Sequence, residues 1–293
     1  MQRPRRVTVA ELLRLVEQRL RRARLSYGHG THNAHDEAAW LVRASLGLKL
    51  TFTPATLARV ASSAGRRRVQ RRLEQRVHDR SPLAYLLREA WLGDVRFYVD
   101  RRAIVPRSYI AELLRERLRP WLRQPVRRAL DLCTGSGCLA VLLARTFTRA
   151  RVDASDLSAA ALAVARINIA RHRLRRRIRL LRSDLFAELG DQRYDLIVCN
   201  PPYVTARAMR RLPREYRHEP RLALAGGGDG LALLRRLFSQ ARQHLNARGL
   251  LVCEIGGNRR ALERAYPQLP FAWPLTSAGA GSVFVLEREQ LPG

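Results

Sequence analysis

Lysine is almost absent from this chain: of its 55 basic residues only Lys49 is not an arginine. Cysteine is scarce too, and Cys133, Cys138, Cys199 and Cys253 fit no zinc-ligand spacing. That excludes a disulfide-built scaffold and points to reduced thiols in a cytoplasmic protein with no bound metal. No run of about 18 apolar residues occurs, so no transmembrane helix is expected. The start, Met1 to Arg6, is basic but lacks the apolar block of a signal peptide. Aromatic residues make up only 6% and do not interleave with the clusters Arg66-Arg67-Arg68, Arg71-Arg72 and Arg175-Arg176-Arg177. A base-stacking surface for single strands is therefore not expected. Acidic residues are few, which leaves a formal charge of +30. Two accounts of that charge stay open: an electrostatic footprint for non-specific RNA contact, or a compositional bias that fills solvated helix faces with arginine.

What is present is a chain of 293 residues, 46% apolar, long enough for one or two domains. Residues 1–80 read as helical. Thr8 and Glu11 form a capping box, and Val9, Leu12, Leu13, Val16 and Leu20 make one helical stripe. After the turn Gly28-His29-Gly30, Asn33 is placed to cap a second helix, and a basic helix follows over about 65–77. His29, His32 and His35 invite a metal reading, but no carboxylate or cysteine completes a site, and turn chemistry explains them. Residues 81–108 read as a β-hairpin connection around Gly93-Asp94. A helix is predicted over Ile110 to Leu118.

Residues 109–293 carry the chemistry. The apolar run Leu196 to Cys199 ends in Asn200-Pro201-Pro202-Tyr203. Proline has a fixed φ and no N–H, so two in succession stiffen the turn and leave its carbonyls free to accept. The Asn200 side-chain oxygen and the Pro201 carbonyl can then take both hydrogens of a planar NH2 group, with Tyr203 against its flat face. Upstream, the strand ending at Asp131-Leu132 runs into Cys133-Thr134-Gly135-Ser136-Gly137 and then an apolar helix. The two glycines permit a tight turn and close approach of a ligand, with helix N–H groups aimed at it. The spacing also fits a dinucleotide fingerprint, so a nicotinamide cofactor is a competing reading. Further strands end at Asp156, about 20 residues on and placed for ribose hydroxyls, and at Ser183-Asp184, placed for an adenine amino group. Four polar strand ends at one edge of a parallel sheet, the last an amide-gripping turn, favour methyl transfer to nitrogen over hydride transfer.

On these residues the chain resembles the class I S-adenosylmethionine-dependent methyltransferases and, more narrowly, the protein-glutamine N5-methyltransferases, which modify release factors or a ribosomal protein. The form Asp131-Leu-Cys-Thr-Gly-Ser-Gly-Cys138 is similar to the ribosomal branch. So are Leu212-Pro213 through Glu215-Tyr216-Arg217-His218-Glu219-Pro220, Ala225-Gly226, Asp229-Gly230-Leu231, and the N-terminal Tyr27-Gly28-His29-Gly30-Thr31. Two departures stand out: Gly279-Ala280-Gly281-Ser282-Val283-Phe284 lacks the histidine expected there, and His32 and His35 are unusual for their positions. The resemblance implies a Rossmann-like α/β fold with a seven-stranded mixed sheet in the order 3-2-1-4-5-7-6, and an N-terminal helical domain that recognises substrate. It implies S-adenosyl-L-methionine held by Asp131, Cys133, Thr134, Gly135, Ser136, Gly137, Asp156, Asp184 and Asn200, and catalysis by Asn200, Pro201, Pro202 and Tyr203. The implied substrate is a glutamine of large-subunit ribosomal protein three, free or in an assembling particle. Release-factor methylation, adenine N6-methylation and a non-catalytic RNA-binding assembly role are the alternatives.

Overall fold

The structure, a computed structural model, describes residues 6–292, so the basic start of the chain through Arg5 lies outside it. The chain forms two compact units: one comprises the residues through Glu89 with Pro213–His218, the other Ala90–Leu212 and the chain from Glu219 onward. No helix of the described residues is long and apolar enough to cross a membrane.

The first unit is helical: α1 (Val9–Arg22), α2 (Ala34–Leu46), α3 (Pro54–Ala58), α4 (Ser63–His78) and α5 (Leu83–Leu87). The Thr8 hydroxyl accepts from Glu11 N–H, and the Glu11 carboxylate returns to Thr8 N–H at 2.8 Å, so two orphan donors at the start of α1 are met. Asn33 caps α2, which ends where Gly47 turns left-handed. The buried face of α4 offers little beyond Val69 and Leu73, and it also carries Arg76, which is only 1% exposed. Burying that guanidinium is tolerated because it is paired. It contacts Glu37 of α2 at 2.5 Å and Glu215 at 3.6 Å, and it donates to the Ser26 carbonyl. Glu215 belongs to a 3-10 helix over Arg214–His218, and its carboxylate also accepts from Ser26 N–H and Arg80. His29 of the glycine turn lies 4.4 Å from the ring of Tyr216.

The second unit opens with the hairpin β1 (Ala90–Leu92) and β2 (Val95–Phe97), turned at left-handed Gly93. Helix α6 (Ile110–Arg115) is shorter than the Ile110–Leu118 span read from the sequence. Arg117 and Leu118 adopt left-handed φ, and Leu118 N–H closes back on the Leu113 carbonyl, which ends the helix and drives Leu118 into the core. Then follow β3 (Arg128–Leu132), α7 (Cys138–Thr146), β4 (Arg151–Asp156), α8 (Ala159–Arg171), β5 (Ile178–Arg182), β6 (Tyr194–Cys199), a short α9 (Ala206–Met209), α10 (Ala232–Ala241), β7 (Leu245–Glu254), α11 (Arg259–Ala265), β8 (Leu275–Thr276), β9 (Gly279–Ala280) and β10 (Val283–Glu287).

The main sheet has six strands in the order β10-β7-β6-β3-β4-β5, and β10 alone is antiparallel to its neighbour. The strand period of two sends Ala129, Leu196 and Val198 into one apolar layer and Leu130, Leu132, Ile197 and Cys199 into the other. This is the expected order with one member missing. At the place of the missing strand, Phe271-Ala272-Trp273 makes only a single bridge, Ala272 to Val285, and β8 forms a small hairpin with β9. Pro270 and Pro274 flank that stretch and cannot donate to a ladder, which limits its pairing. Because β3, β4, β5 and β6 are parallel, the loops after Leu132, Asp156, Arg182 and Cys199 emerge at one edge.

Candidate active site

The Asn200-Pro201-Pro202-Tyr203 loop leaves β6 as a stiff strap whose groups are individually held. Asn200 Nδ2 donates to the Arg107 carbonyl at 3.2 Å. Only the amide nitrogen can face a carbonyl oxygen, so covalent geometry turns Oδ1 the other way. Among the described residues the Pro201 and Pro202 carbonyls accept no hydrogen bond, whereas the Tyr203 carbonyl takes Asn258 Nδ2 at 2.8 Å and Val204 pairs with Gly226 and Leu224. The next loop packs directly on this strap: a Cβ on Gly226 would lie 2.6 Å from Tyr203 Cα.

Two buried carboxylates brace the same strap from distant parts of the chain. Glu219 is fully buried and accepts both terminal nitrogens of Arg107 at 2.7 Å, and also Val105 N–H at 3.0 Å. It thereby folds the segment Val105-Pro106-Arg107 around itself and fixes the carbonyl that Asn200 reads. Glu254, at the end of β7, accepts from Ser108 Oγ at 2.6 Å, from Tyr109 N–H at 2.9 Å and from the Tyr203 hydroxyl at 3.3 Å. Burial pushes Glu254 above the ordinary carboxylate range, and these bonds offset part of that. The Tyr203 hydroxyl is also pushed up, first by burial and then by the Glu254 charge, so it stays protonated.

The glycine turn after β3 forms the neighbouring part of the edge. Cys133, Gly135 and Gly137 all take left-handed φ, which for Cys133 is strained and for the glycines is not. Asp131, wholly buried, spends one oxygen on Thr134 Oγ1 at 2.5 Å and Ala140 N–H at 2.8 Å. Its Oδ1 and the buried Ser136 Oγ have no partner among the described residues. Buried polar atoms are ordinarily satisfied, so this pair fits a ligand that brings donors of its own, such as an ammonium or hydroxyls. Burial pushes the Asp131 carboxyl up to about 7, against the two accepted bonds. Asp156 accepts from Gly135 N–H and Ser158 N–H, each at 2.8 Å, and leaves further lone pairs beyond the turn. Burial raises it too.

Not every residue proposed from the sequence joins this group. Asp184 is half exposed and ion-paired with Arg236 of α10 at 2.9 Å. Cys199, whose sheet partner is Cys253, lies beside Cys133, and the interaction of the two thiols together with burial pushes both well above the usual thiol range, so they stay neutral. Sequence reasoning passed over Asn168 of α8. Its fully buried amide donates to the Ser136 and Tyr98 carbonyls and accepts from Tyr98 N–H, lashing the glycine turn to the end of β2. It passed over Glu254 as well, and it read Glu219 only as part of a family stretch. A polar residue inside an apolar helix face is the signal that could have found Asn168; an isolated Glu closing the run Leu250 to Cys253 could have marked Glu254.

Comparison with known proteins adds a second line of information. The Methyltransferase small domain family matches residues 111–231. The ribosomal protein uL3 glutamine methyltransferase of Neisseria meningitidis serogroup B is 49% identical over 98% of this chain and 95% of its own length. The protein of the same name from Bordetella pertussis is 51% identical over 97% of this chain and 96% of its own. Among solved structures, the hMettl16 catalytic domain in complex with MAT2A 3'UTR hairpin 6 aligns with a TM-score of 0.54 at 15% identity, over 85% of this chain and 91% of that one. That likeness concerns the fold, which is the class I methyltransferase α/β architecture.

Proposed function

We infer function from the premise that this chain belongs to the ribosomal protein uL3 glutamine methyltransferases: it methylates the side-chain amide nitrogen of a glutamine in uL3. The observation that carries this reading is the near-full-length identity to enzymes of that one name, joined to an edge that offers two acceptors to a carboxamide. The donor proposed is S-adenosyl-L-methionine, which when bound supplies an electrophilic methyl on a sulfonium. Asp131, Ser136 and the Gly135–Gly137 turn would hold it, with Asp156 on its ribose, and the orphaned buried oxygens of Asp131 and Ser136 favour that fit. Asp184, whose Oδ2 pairs with Arg236, is proposed for the adenine amino group through its other oxygen.

A carboxamide nitrogen is a poor nucleophile because its lone pair is delocalised into the carbonyl. In this proposal Asn200 Oδ1 and the Pro201 carbonyl accept its two hydrogens, which fixes the nitrogen and lets positive charge develop on it. Pro202 stiffens the strap, and Tyr203 covers the flat face of the amide. Holding the nitrogen in line with the transferable methyl is worth up to about 7–11 kcal/mol in favourable cases. The lone pair would form the new N–C bond as the methyl's bond to sulfur breaks, its electron pair staying on sulfur as a neutral thioether, and the surplus proton on nitrogen would leave to water. The helical unit is proposed to recognise the substrate protein, and the enzyme to act in the cytoplasm, where ribosomal proteins assemble. Incubating the purified chain with S-adenosylmethionine and purified uL3, then locating any added methyl by peptide mass spectrometry, tests the reading. A methyl on one glutamine amide is expected; none on uL3, or one on release factor instead, would overturn it.

A further inference from the structure

We propose that the opposite edge of the main sheet holds a second binding site, a cavity that grips the phosphodiester backbone of RNA. Arg128 and Arg151 are the first residues of β3 and β4, and Arg175-Arg176-Arg177 lead into β5. With Val152, Asp153, Ile178 and Arg179 they line a cavity of about 380 Å³. Strands of five or six residues, at about 3.3 Å each, put it roughly 17–20 Å from the loops that form the candidate active site.

The six arginines here have different duties. Arg177 is structural: it donates to the carbonyls of Ala144, Phe147 and Ala150 and so ties the end of α7 to the start of β4. Arg179 forks onto Asp153 at 2.8 and 2.9 Å, Tyr194 donates its hydroxyl to the same carboxylate, and Arg128 stands 3.8 Å from it. Among the described residues the only carboxylate lining the cavity is thus saturated. Arg151, Arg175 and Arg176 are exposed at the rim, and among the described residues none has a carboxylate partner. Guanidiniums crowded around one concavity repel each other, and the concavity focuses their field, so an anion is the species that relieves it. Guanidinium forks match phosphate oxygens. Among the described residues Val152 and Ile178 are the only apolar ones lining it and no aromatic ring is among them, so the site reads phosphate rather than bases and should show no sequence preference.

RNA is favoured over an acidic protein by the charge of the whole reaction, a step that rests on the function proposed above. A ribosomal protein must itself be basic to neutralise RNA phosphates, so it is repelled in free solution by an enzyme of formal charge +30. RNA attracts both. A phosphate grip on the edge away from the methylating loops lets the enzyme dock on an RNA-bearing particle while the strap stays free for the glutamine.

The test is anisotropy of a labelled mixed-sequence RNA against the full chain across a salt series. The cavity variant Arg151→Ser/Arg175→Ser/Arg176→Ser is compared with Arg14→Ser/Arg19→Ser/Arg22→Ser on α1, which loses equal charge. Matching melting temperatures verify that both are folded. The cavity variant should bind about tenfold or more weakly, and its log–log salt slope should flatten by about 2, near 0.7 for each lost phosphate contact. The α1 variant should stay close to the parent. Equal loss in both variants, or none in the cavity variant, overturns the proposal. Polyglutamate displacing the RNA as well as polyuridylate does at equal charge also overturns it, in favour of an acidic protein. Methylation of RNA-free uL3 should be unchanged in the cavity variant. If neither parent nor variant methylates uL3 while the anisotropy difference holds, the proposed function fails and the RNA site stands.

Discussion

The ring of Tyr203 rests on the bare backbone of Gly256: a Cβ there would stand 2.6 Å from Cε2 and 3.1 Å from Cδ2. Gly256 also has φ +54, a conformation that other residues resist. Gly256→Ala should therefore displace the ring from the place where it is proposed to cover the substrate amide. A shift of about 1 Å at a reacting group costs on the order of 100-fold in rate. Steady-state kinetics should show kcat falling by about that factor; a kcat within a few-fold of the parent would show that the ring's position does not matter.

Asn200→Ala removes one of the two acceptors assigned to the substrate amide. Turnover should drop steeply, with cofactor affinity by calorimetry nearly unchanged. An activity that survives within a few-fold takes the catalytic role away from Asn200.

Glu219 acts at one remove, through Arg107. Glu219→Ala leaves a half-covered guanidinium without its fork and frees the carbonyl that Asn200 reads. Chemical denaturation should record a loss of about 3 kcal/mol, the lower end for breaking a buried pair, because Arg107 can still reach water. In Glu219→Gln the fold should largely recover while kcat stays low. Full recovery of both would reduce Glu219 to a packing residue.

The buried Asp131 carboxyl sets a pH dependence. Its folded pKa, about 7, stands above the ordinary 3.8, so the folded state prefers the protonated form. That contribution is whole below about pH 4 and is lost as pH rises through about 7. In Asp131→Asn the side-chain oxygen can still accept from Thr134 and Ala140, and no charge ever forms. The variant should melt higher than the parent at pH 8, and the gap should shrink towards pH 5, by at most ~1.4 kcal/mol for each step of one in pH. A gap constant across this range would refute the assignment.

Much of this architecture was legible in sequence because its signals are local. Thr8 and Glu11 lie within one helical turn, Gly135 and Gly137 announce their own turn, and the apolar run to Cys199 stops at a double proline. Each polar strand end could be placed at one edge because parallel strands leave no other choice. What stayed hidden depends on distant partners. Glu254 meets Ser108 and Tyr109, and Glu219 meets Arg107, across more than a hundred residues, and no periodicity announces such a pairing. The seventh strand is missing because the prolines flanking Phe271-Ala272-Trp273 count against a ladder, although the composition of that stretch suits one. Asp184 closes a strand end that the sequence marks, whereas its ion pair with Arg236, on a helix far along the chain, has no local signal.

The short helix over Arg214–His218 has an evolutionary implication. The backbone passes between the two units after Glu89, after Leu212 and after His218, and Glu215 ends up sealed beside Arg76 and Arg80. The front helices are therefore not a detachable cassette. Trimming the chain at Glu89 would strand a carboxylate built for burial, and grafting a foreign front end would require rewriting six residues that belong to the helical unit but lie more than a hundred residues further along the chain. The two separated stretches of sequence that build the helical unit therefore have to change together.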